Sequence, residues 1–482
     1  MSRPLLLALA LAVAAPACSL IANPNDHVGG TRDAGSGDAA RDTGDGHVGP
    51  IDGGPDAWAP PECNTATDCG PGGAAGLVQC LAQRCVFCAA PSEPTPYVLR
   101  SGTGLRPYVS LGTRRRSTGP TLVLVGTMGT TSAAPALAHN ASIDAPSSAV
   151  AVQLAAGIAG GCSGTVDSVS SMSFYPDDQF PSSTDTAIAV VVDGPTGRMI
   201  THLTWPNTSG AIMPAGFTCR TLMAPSNFTP ASTFFRAPDT TGNSPLLQLT
   251  RQSTGTGSAF VAYSYPYATQ SAFYTSFGGP LDDYAPMTSA GPFMVIGAAS
   301  TTQVLWWDPE ITSGGPSLVM TPERTGDPSV VALGTATMAG ELLHFTMAFP
   351  VMSRVRFVNV DCDTSCMPVG QSVDLHTDAT TVTAARLGMA GSVQVLLTSE
   401  RLASGAQQVV LRVMRANGTP YDAPGGGHAL VLATAASGSV VSDIELAVVN
   451  GATVNYAAVW MITSAAGMSS VQLQTFQGSC AH

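Results

Sequence analysis

The chain has 482 residues, only 11% of them charged, and a formal net charge of −12. All 20 basic residues are arginine. Without lysine there can be no P-loop, no Schiff-base centre, no protein-kinase site and no Ser-x-x-Lys centre. The acidic balance, with Arg114 to Arg116 as an isolated basic triplet, excludes the broad basic surface that nucleic acid requires.

Residues 1–17 carry one arginine, the apolar run LLLALALAVAA and small residues ending Ala15-Pro16-Ala17. That is the layout of a secretory signal peptide. The run is shorter than the roughly 20 apolar residues of a membrane-spanning helix. Two readings of the cleavage region compete. Ala-x-Ala suits ordinary signal peptidase, whereas a small residue followed by Cys18 is similar to a bacterial lipobox, with Ala15 where leucine is usual. Cysteine parity favours the second. Of 11 cysteines, Cys18 would carry a lipid and the remaining ones form an even set that can pair. The expected location is the cell envelope, as an outer-membrane or cell-surface lipoprotein held to the membrane through its N-terminal lipid. Plain secretion is the alternative.

Residues 18–62 follow as a lipidated N-terminus and linker, rich in Asp, Gly, Ala and Pro and nearly free of large apolar side chains. Such a segment cannot bury enough surface to offset its ordering entropy, so a disordered spacer is expected. Its Asp-Gly pairs do not form the twelve-residue loop of a calcium site.

Residues 63–96 hold Cys63, Cys69, Cys80, Cys85 and Cys88 among small polar residues. So short a module needs cross-links rather than burial. Cys85-x-x-Cys88 would suit half a zinc site, but no second Cys-x-x-Cys and no histidine accompany it, and disulfides are expected instead of a metal. Signal peptide, Asp/Gly-rich spacer, the stretch TDCGPGGAAGLVQCLAQRCVFC from Thr67 to Cys88 and a β-repeat body together resemble predicted surface lipoproteins of myxobacteria and related bacteria. The resemblance implies location and architecture more than chemistry. With five cysteines in the module, one must pair outside it, with Cys162, Cys219 or Cys480. Cys362 and Cys366 are close enough in sequence to pair with each other.

From Tyr97 to the C-terminus, short alternating or β-branched runs recur between Gly/Ser/Thr/Pro turns. Three strands are expected within 443–477, three within 380–418 and three within 329–360. Weaker units are expected at 245–279, 292–308 and 106–127, and a hairpin at 186–205 with Asp193-Gly194-Pro195 in its turn. About seven irregular units of this kind predict an all-β fold, a β-propeller over 97–482. A single thin sheet leaves both faces open, and a ring of them covers those faces. The last strand is expected to close the ring by pairing near Tyr97. Tandem β-sandwiches are the alternative.

No catalytic motif stands out, and no cofactor is expected. His202 and His344 fall in predicted strands, where a hydrogen-bonded structural histidine is expected; His139, His376 and His428 fall in predicted loops. The acid pairs Asp177–Asp178 and Asp282–Asp283 suit turns. The stretch LWWDPE places Trp306 and Trp307 beside Asp308 and Glu310, and aromatic faces beside carboxylates can stack a sugar ring and accept its hydroxyls. These four are the candidate ligand contacts. The expected role is that of a surface-tethered, non-enzymatic binding or adhesion protein whose loops contact an extracellular protein or a glycan. The alternatives are a carbohydrate-active hydrolase using loop carboxylates and a purely structural envelope lipoprotein.

Overall fold

Near-continuous runs of apolar residues make strands that bury both faces, and that is the plan of this chain's middle strands. A computed structural model describes residues 62–114, 120–129, 135–154 and, with breaks at 363–365, 391–392 and 416, residues 342–480. Between 168 and 339 it describes the strands, mostly as backbone.

Among the described residues, seven antiparallel sheets follow one another along the chain after the two-stranded hairpin of Val78–Leu81 and Arg84–Phe87. Blade 1 consists of Leu105–Arg114, Leu122–Gly129, Leu137–Ser142 and Ala145–Gln153. Blade 2 is Ser168–Phe174, Asp185–Gly194, Gly197–Pro206 and Thr218–Met223. Blade 3 is Phe234–Phe235, Leu247–Ser253, Ser258–Ser264 and Gln270–Phe273. Blade 4 is Thr288–Ala290, Phe293–Ser300, Gln303–Trp307 and Ser317–Met320. In blade 5 two short strands, Ala332–Leu333 and Thr337–Ala339, share the edge of Leu342–Val351, and Arg354–Cys362 and Cys366–His376 follow. Blade 6 is Thr381–Ala390, Val393–Arg401, Gln407–Met414 and Leu430–Ala435.

Blade 7 draws on both ends of the chain. Val440–Val449, Asn455–Thr463 and Ser469–Gln477 come from the C-terminus, and Tyr97–Gly102 pairs antiparallel with the last of them, Tyr97 opposite Leu473. The expected closure is therefore present. The chain is a β-propeller, not a pair of sandwiches: each sheet is sequential, and the first and last are locked by the N-terminal strand.

Blades pack face to face through apolar seams. Across the closing seam, Val109, Val123 and Val125 of blade 1 meet Val459, Met461, Val471 and Leu473 of blade 7. The opposite face of blade 7 presents Ile444, Tyr456, Ala458, Trp460 and Phe476 to Val395, Leu397 and Leu411 of blade 6. Ala458 and Val459 thus serve different seams, as a period of two requires. Inner strands converge towards the axis, and two glycines make room. A Cβ on Gly112 of blade 1 would lie 2.5 Å from Phe174 of blade 2, and one on Gly388 of blade 6 would lie 2.5 Å from Val448 of blade 7.

Because strands alternate in direction, connections after the first and third strands of a blade lie at one end of the ring, and those after the second and fourth at the other. The Cys-rich module docks at the first end. Tyr421 Oη, in the connection after the third strand of blade 6, donates to the Cys69 carbonyl at 3.0 Å. In the same connection Asp422 exchanges backbone hydrogen bonds with Phe87 and Cys85 and pairs with Arg84 at 2.7 Å. Module and sheets form one compact unit.

Candidate functional site

A partly buried ionisable cluster lies where the inner strands of blades 6, 7 and 1 meet. Asp443 and Glu445 stand two residues apart on the inner strand of blade 7, hence on one face. Arg386, on the inner strand of blade 6, holds both: its Nε donates to Glu445 Oε1 at 3.0 Å, and its Nη2 lies 3.6 Å from Asp443 Oδ1. Asp443 Oδ2 accepts from the backbone N–H of Val109 in blade 1 at 2.8 Å, and Oδ1 accepts from the N–H of Ile444. Tyr108 of blade 1 donates its hydroxyl to the Met172 carbonyl of blade 2. One polar belt thus stitches four blades.

Burial pushes the Asp443 carboxyl up to about 7, and the neighbouring Glu445 charge adds to the rise. Arg386 and the two backbone donors pull the other way and only partly offset it. Burial likewise raises Glu445, against Arg386, and raises the Tyr108 phenol, with Asp443 and Glu445 contributing. A carboxyl raised in the fold favours the protonated folded form. Its contribution to stability is full below the unfolded carboxylate value, roughly 3.9, and is lost as pH rises through about 7. Thermal stability should therefore fall between pH 5 and pH 8 in this part of its profile. Asp443→Asn should flatten that fall, which melting curves across the range would measure; an unchanged slope would refute the assignment.

A second polar group ties the closing strand to blade 1. Arg100 Nη1 donates to Thr127 Oγ1 at 3.1 Å and to the Pro135 carbonyl at 2.7 Å. Thr127 Oγ1 lies 3.4 Å from His139 Nε2. Burial, with the Arg100 charge beside it, lowers His139 to about 4, so its ring is neutral at pH 7. The loop expectation for His139 and His376 is corrected: His139 is buried within Leu137–Ser142, and His376 ends Cys366–His376 opposite Arg354. Alanine and asparagine around His139 mask its alternation. His202 and His344 do lie in strands, and His344 Nδ1 is hydrogen-bonded to Asp361 Oδ1, a structural arrangement.

The cysteines follow the module. Cys63 is bonded to Cys80, Cys69 to Cys85, and Cys88 to Cys480 near the C-terminus. Cys362 and Cys366 are opposed residues of one hairpin, and Cys219 lies in the outer strand of blade 2. Cys18 and Cys162 lie outside the described residues. Trp306 and Trp307 end the third strand of blade 4, paired with Val295 and Met294. Asp308, Glu310 and the acid pairs Asp177–Asp178 and Asp282–Asp283 lie outside the described residues. The axial cluster was not singled out from the sequence. The one available signal was Asp443-x-Glu445 inside a strand that otherwise reads as apolar.

No protein-family model matches the chain, and no curated protein matches it. Among solved structures, it is similar to an Aleuria aurantia lectin mutant in complex with alpha-methyl-L-fucoside, at 10% identity and TM-score 0.38, over 72% of this chain and 98% of that one. It is similar to the Dos1 propeller at 10% identity and TM-score 0.38, over 81% and 96%. Chaetomium thermophilum Sqt1, bound to the N-terminus of the ribosomal protein L10, matches at 11% identity and TM-score 0.40, over 78% and 98%. The strand order and the closure carry the fold by themselves.

Proposed function

We propose that the chain is an envelope lipoprotein, anchored through Cys18, whose propeller binds an extracellular protein or a glycan without transforming it. The observation that supports this most is the double closure of blade 7. Tyr97–Gly102 completes its sheet, and Cys88–Cys480 ties the segment before that strand to the segment after Ser469–Gln477 at the module end of the ring. A frame fixed at both termini holds its turns in constant relative positions, the property that binding loops need. Glu62, the first described residue, lies at the module end, where it accepts from the N–H of Cys85 at 3.0 Å and pairs with Arg415. The turns after the second and fourth strands, such as those at Met352, Leu402–Ala406, Ala436–Ser439 and Ser464–Met468, lie at the end away from it.

Asp443 and Glu445 bear on the hydrolase alternative. Both are committed to one guanidinium, whereas a glycosidase pair must leave one carboxylate free to attack or to activate water.

The test has two arms. Intact mass after detergent extraction should show a chain starting at Cys18 with fatty-acyl mass, and an unmodified N-terminus there would remove the anchor. A glycan array and a secreted-protein screen with the purified chain should give saturable binding of a ligand recovered at unchanged mass. A ligand recovered cleaved would overturn the binding reading in favour of the hydrolase, and no binding at all would favour the structural role.

A further inference from the structure

Two disulfides of the module share one sulfur cluster. The Sγ atoms of Cys63, Cys69 and Cys85 all lie within 4.8 Å of one another, and that of Cys80 is bonded to Cys63. Three of the four residues are buried, and Cys80 is half-buried. They are brought together by local geometry. Cys69 ends the short 3-10 turn Ala66–Cys69, and Cys80 and Cys85 sit opposite each other on the hairpin formed by Val78–Leu81 and Arg84–Phe87. Cys63 is pinned by its N–H, which donates to the Gln83 carbonyl of the hairpin turn. A tetrahedral zinc thiolate has Zn–S bonds of about 2.3 Å and therefore S···S edges of about 3.8 Å. The Cys63 sulfur thus lies no more than about 1 Å beyond that edge from those of Cys69 and Cys85, and each bonded pair, about 2.05 Å apart, opens by about 1.7 Å on reduction.

We propose that Cys63, Cys69, Cys80 and Cys85, when reduced, form a tetrathiolate site for a divalent cation, with zinc the ion that this donor set suits. Each disulfide takes two electrons and two protons from an external dithiol, which leaves as its own disulfide, and four thiols result. The cation then displaces four protons, since thiolate is the ligand. Exchange with an external disulfide reverses both steps and releases the ion. The same four positions are cross-linked in either state, by two S–S bonds or by one cation, so the module keeps its fold through both. Spacing alone hides this site. Cys85-x-x-Cys88 looks like the half-site, but Cys88 is committed to Cys480.

Co2+ is the probe. The full chain, reduced by a phosphine under argon, should develop thiolate-to-cobalt charge-transfer and tetrahedral d–d bands that saturate at about one ion per chain and are bleached by Zn2+. The oxidised chain should show none. Cys88→Ser with Cys480→Ser should keep the bands, and Cys63→Ser with Cys80→Ser should lose them. Fluorescence of the buried Trp460 reports whether each variant remains folded. Three results would overturn the proposal: no bands in the reduced chain, bands that survive Cys63→Ser with Cys80→Ser, or bands lost from a folded Cys88→Ser, Cys480→Ser chain.

Discussion

Arg412→Ala should destabilise the propeller by about 3–5 kcal/mol, among the largest losses available to a single substitution in this chain. Arg412 and Glu400 keep only 7% and 4% of their side-chain surface exposed. Nη1 of Arg412 donates to Glu400 Oε1 at 2.5 Å, and Nη2 donates to Oε2 at 3.2 Å. Thr398 joins them, accepting from Arg412 at 3.0 Å and donating to Glu400 at 2.6 Å. The pair lies on the face of blade 6 that carries Leu396 and Met414, which pack on Ala348, Val355 and Phe357 of blade 5. Removing the arginine strands a carboxylate in that seam with no water to replace the guanidinium. Replacing both partners by apolar residues of similar volume leaves no charge behind, and such exchanges are often neutral or better. The expected pattern in urea denaturation is therefore a large loss for Arg412→Ala, a similar loss for Glu400→Leu, and recovery of most of it in Arg412→Met with Glu400→Leu. Losses that simply add in the double variant would refute the account.

What the sequence reveals here depends on what each strand touches. Two of the three strands expected within 443–477 are Asn455–Thr463 and Ser469–Gln477, legible because a middle strand meets apolar seams on both faces and must be rich in large side chains. Outer strands carry no such demand. Ala145–Gln153 and Leu430–Ala435 have one neighbour each, are built from small or partly exposed residues, and gave no separate signal. The inner strand Ser168–Phe174, rich in serine, gave no separate signal either. The closing strand was legible because its partner was left one strand short of a full blade. The axial cluster was not, since Arg386 and Asp443 are 57 positions apart and meet only when blades 6 and 7 are set side by side. Sulfur pairing was legible only in part: an odd count in the module requires an outside partner, but only the closed ring brings Cys480 to Cys88.

That outside bond should be the second large term. Cys88→Ser with Cys480→Ser is expected to cost about 2–5 kcal/mol, the range for loss of a native disulfide. The bond spans a sequence separation of 392 residues, nearly the whole propeller. In the chain-entropy account, so long a loop restricts the unfolded ensemble more than the separations of 17 and 16 residues within the module. With roughly 2.1 cal/mol/K of unfolding entropy per residue, a propeller of this size should lose about 2–6 °C in melting temperature. Where the loss appears matters more than its size. Tyr97–Gly102 is held to blade 7 by its ladder with Ser469–Gln477, and to blade 1 through Arg100 and its partners. Untying the staple leaves that ladder intact but lets its outer end open separately. Amide exchange in Tyr97–Gly102 should then quicken, while the amides of Val393–Arg401 in blade 6 keep their protection. A uniform rise in exchange across all blades would mean that the bond acts only through the unfolded chain, and that strand pairing alone keeps the ring closed.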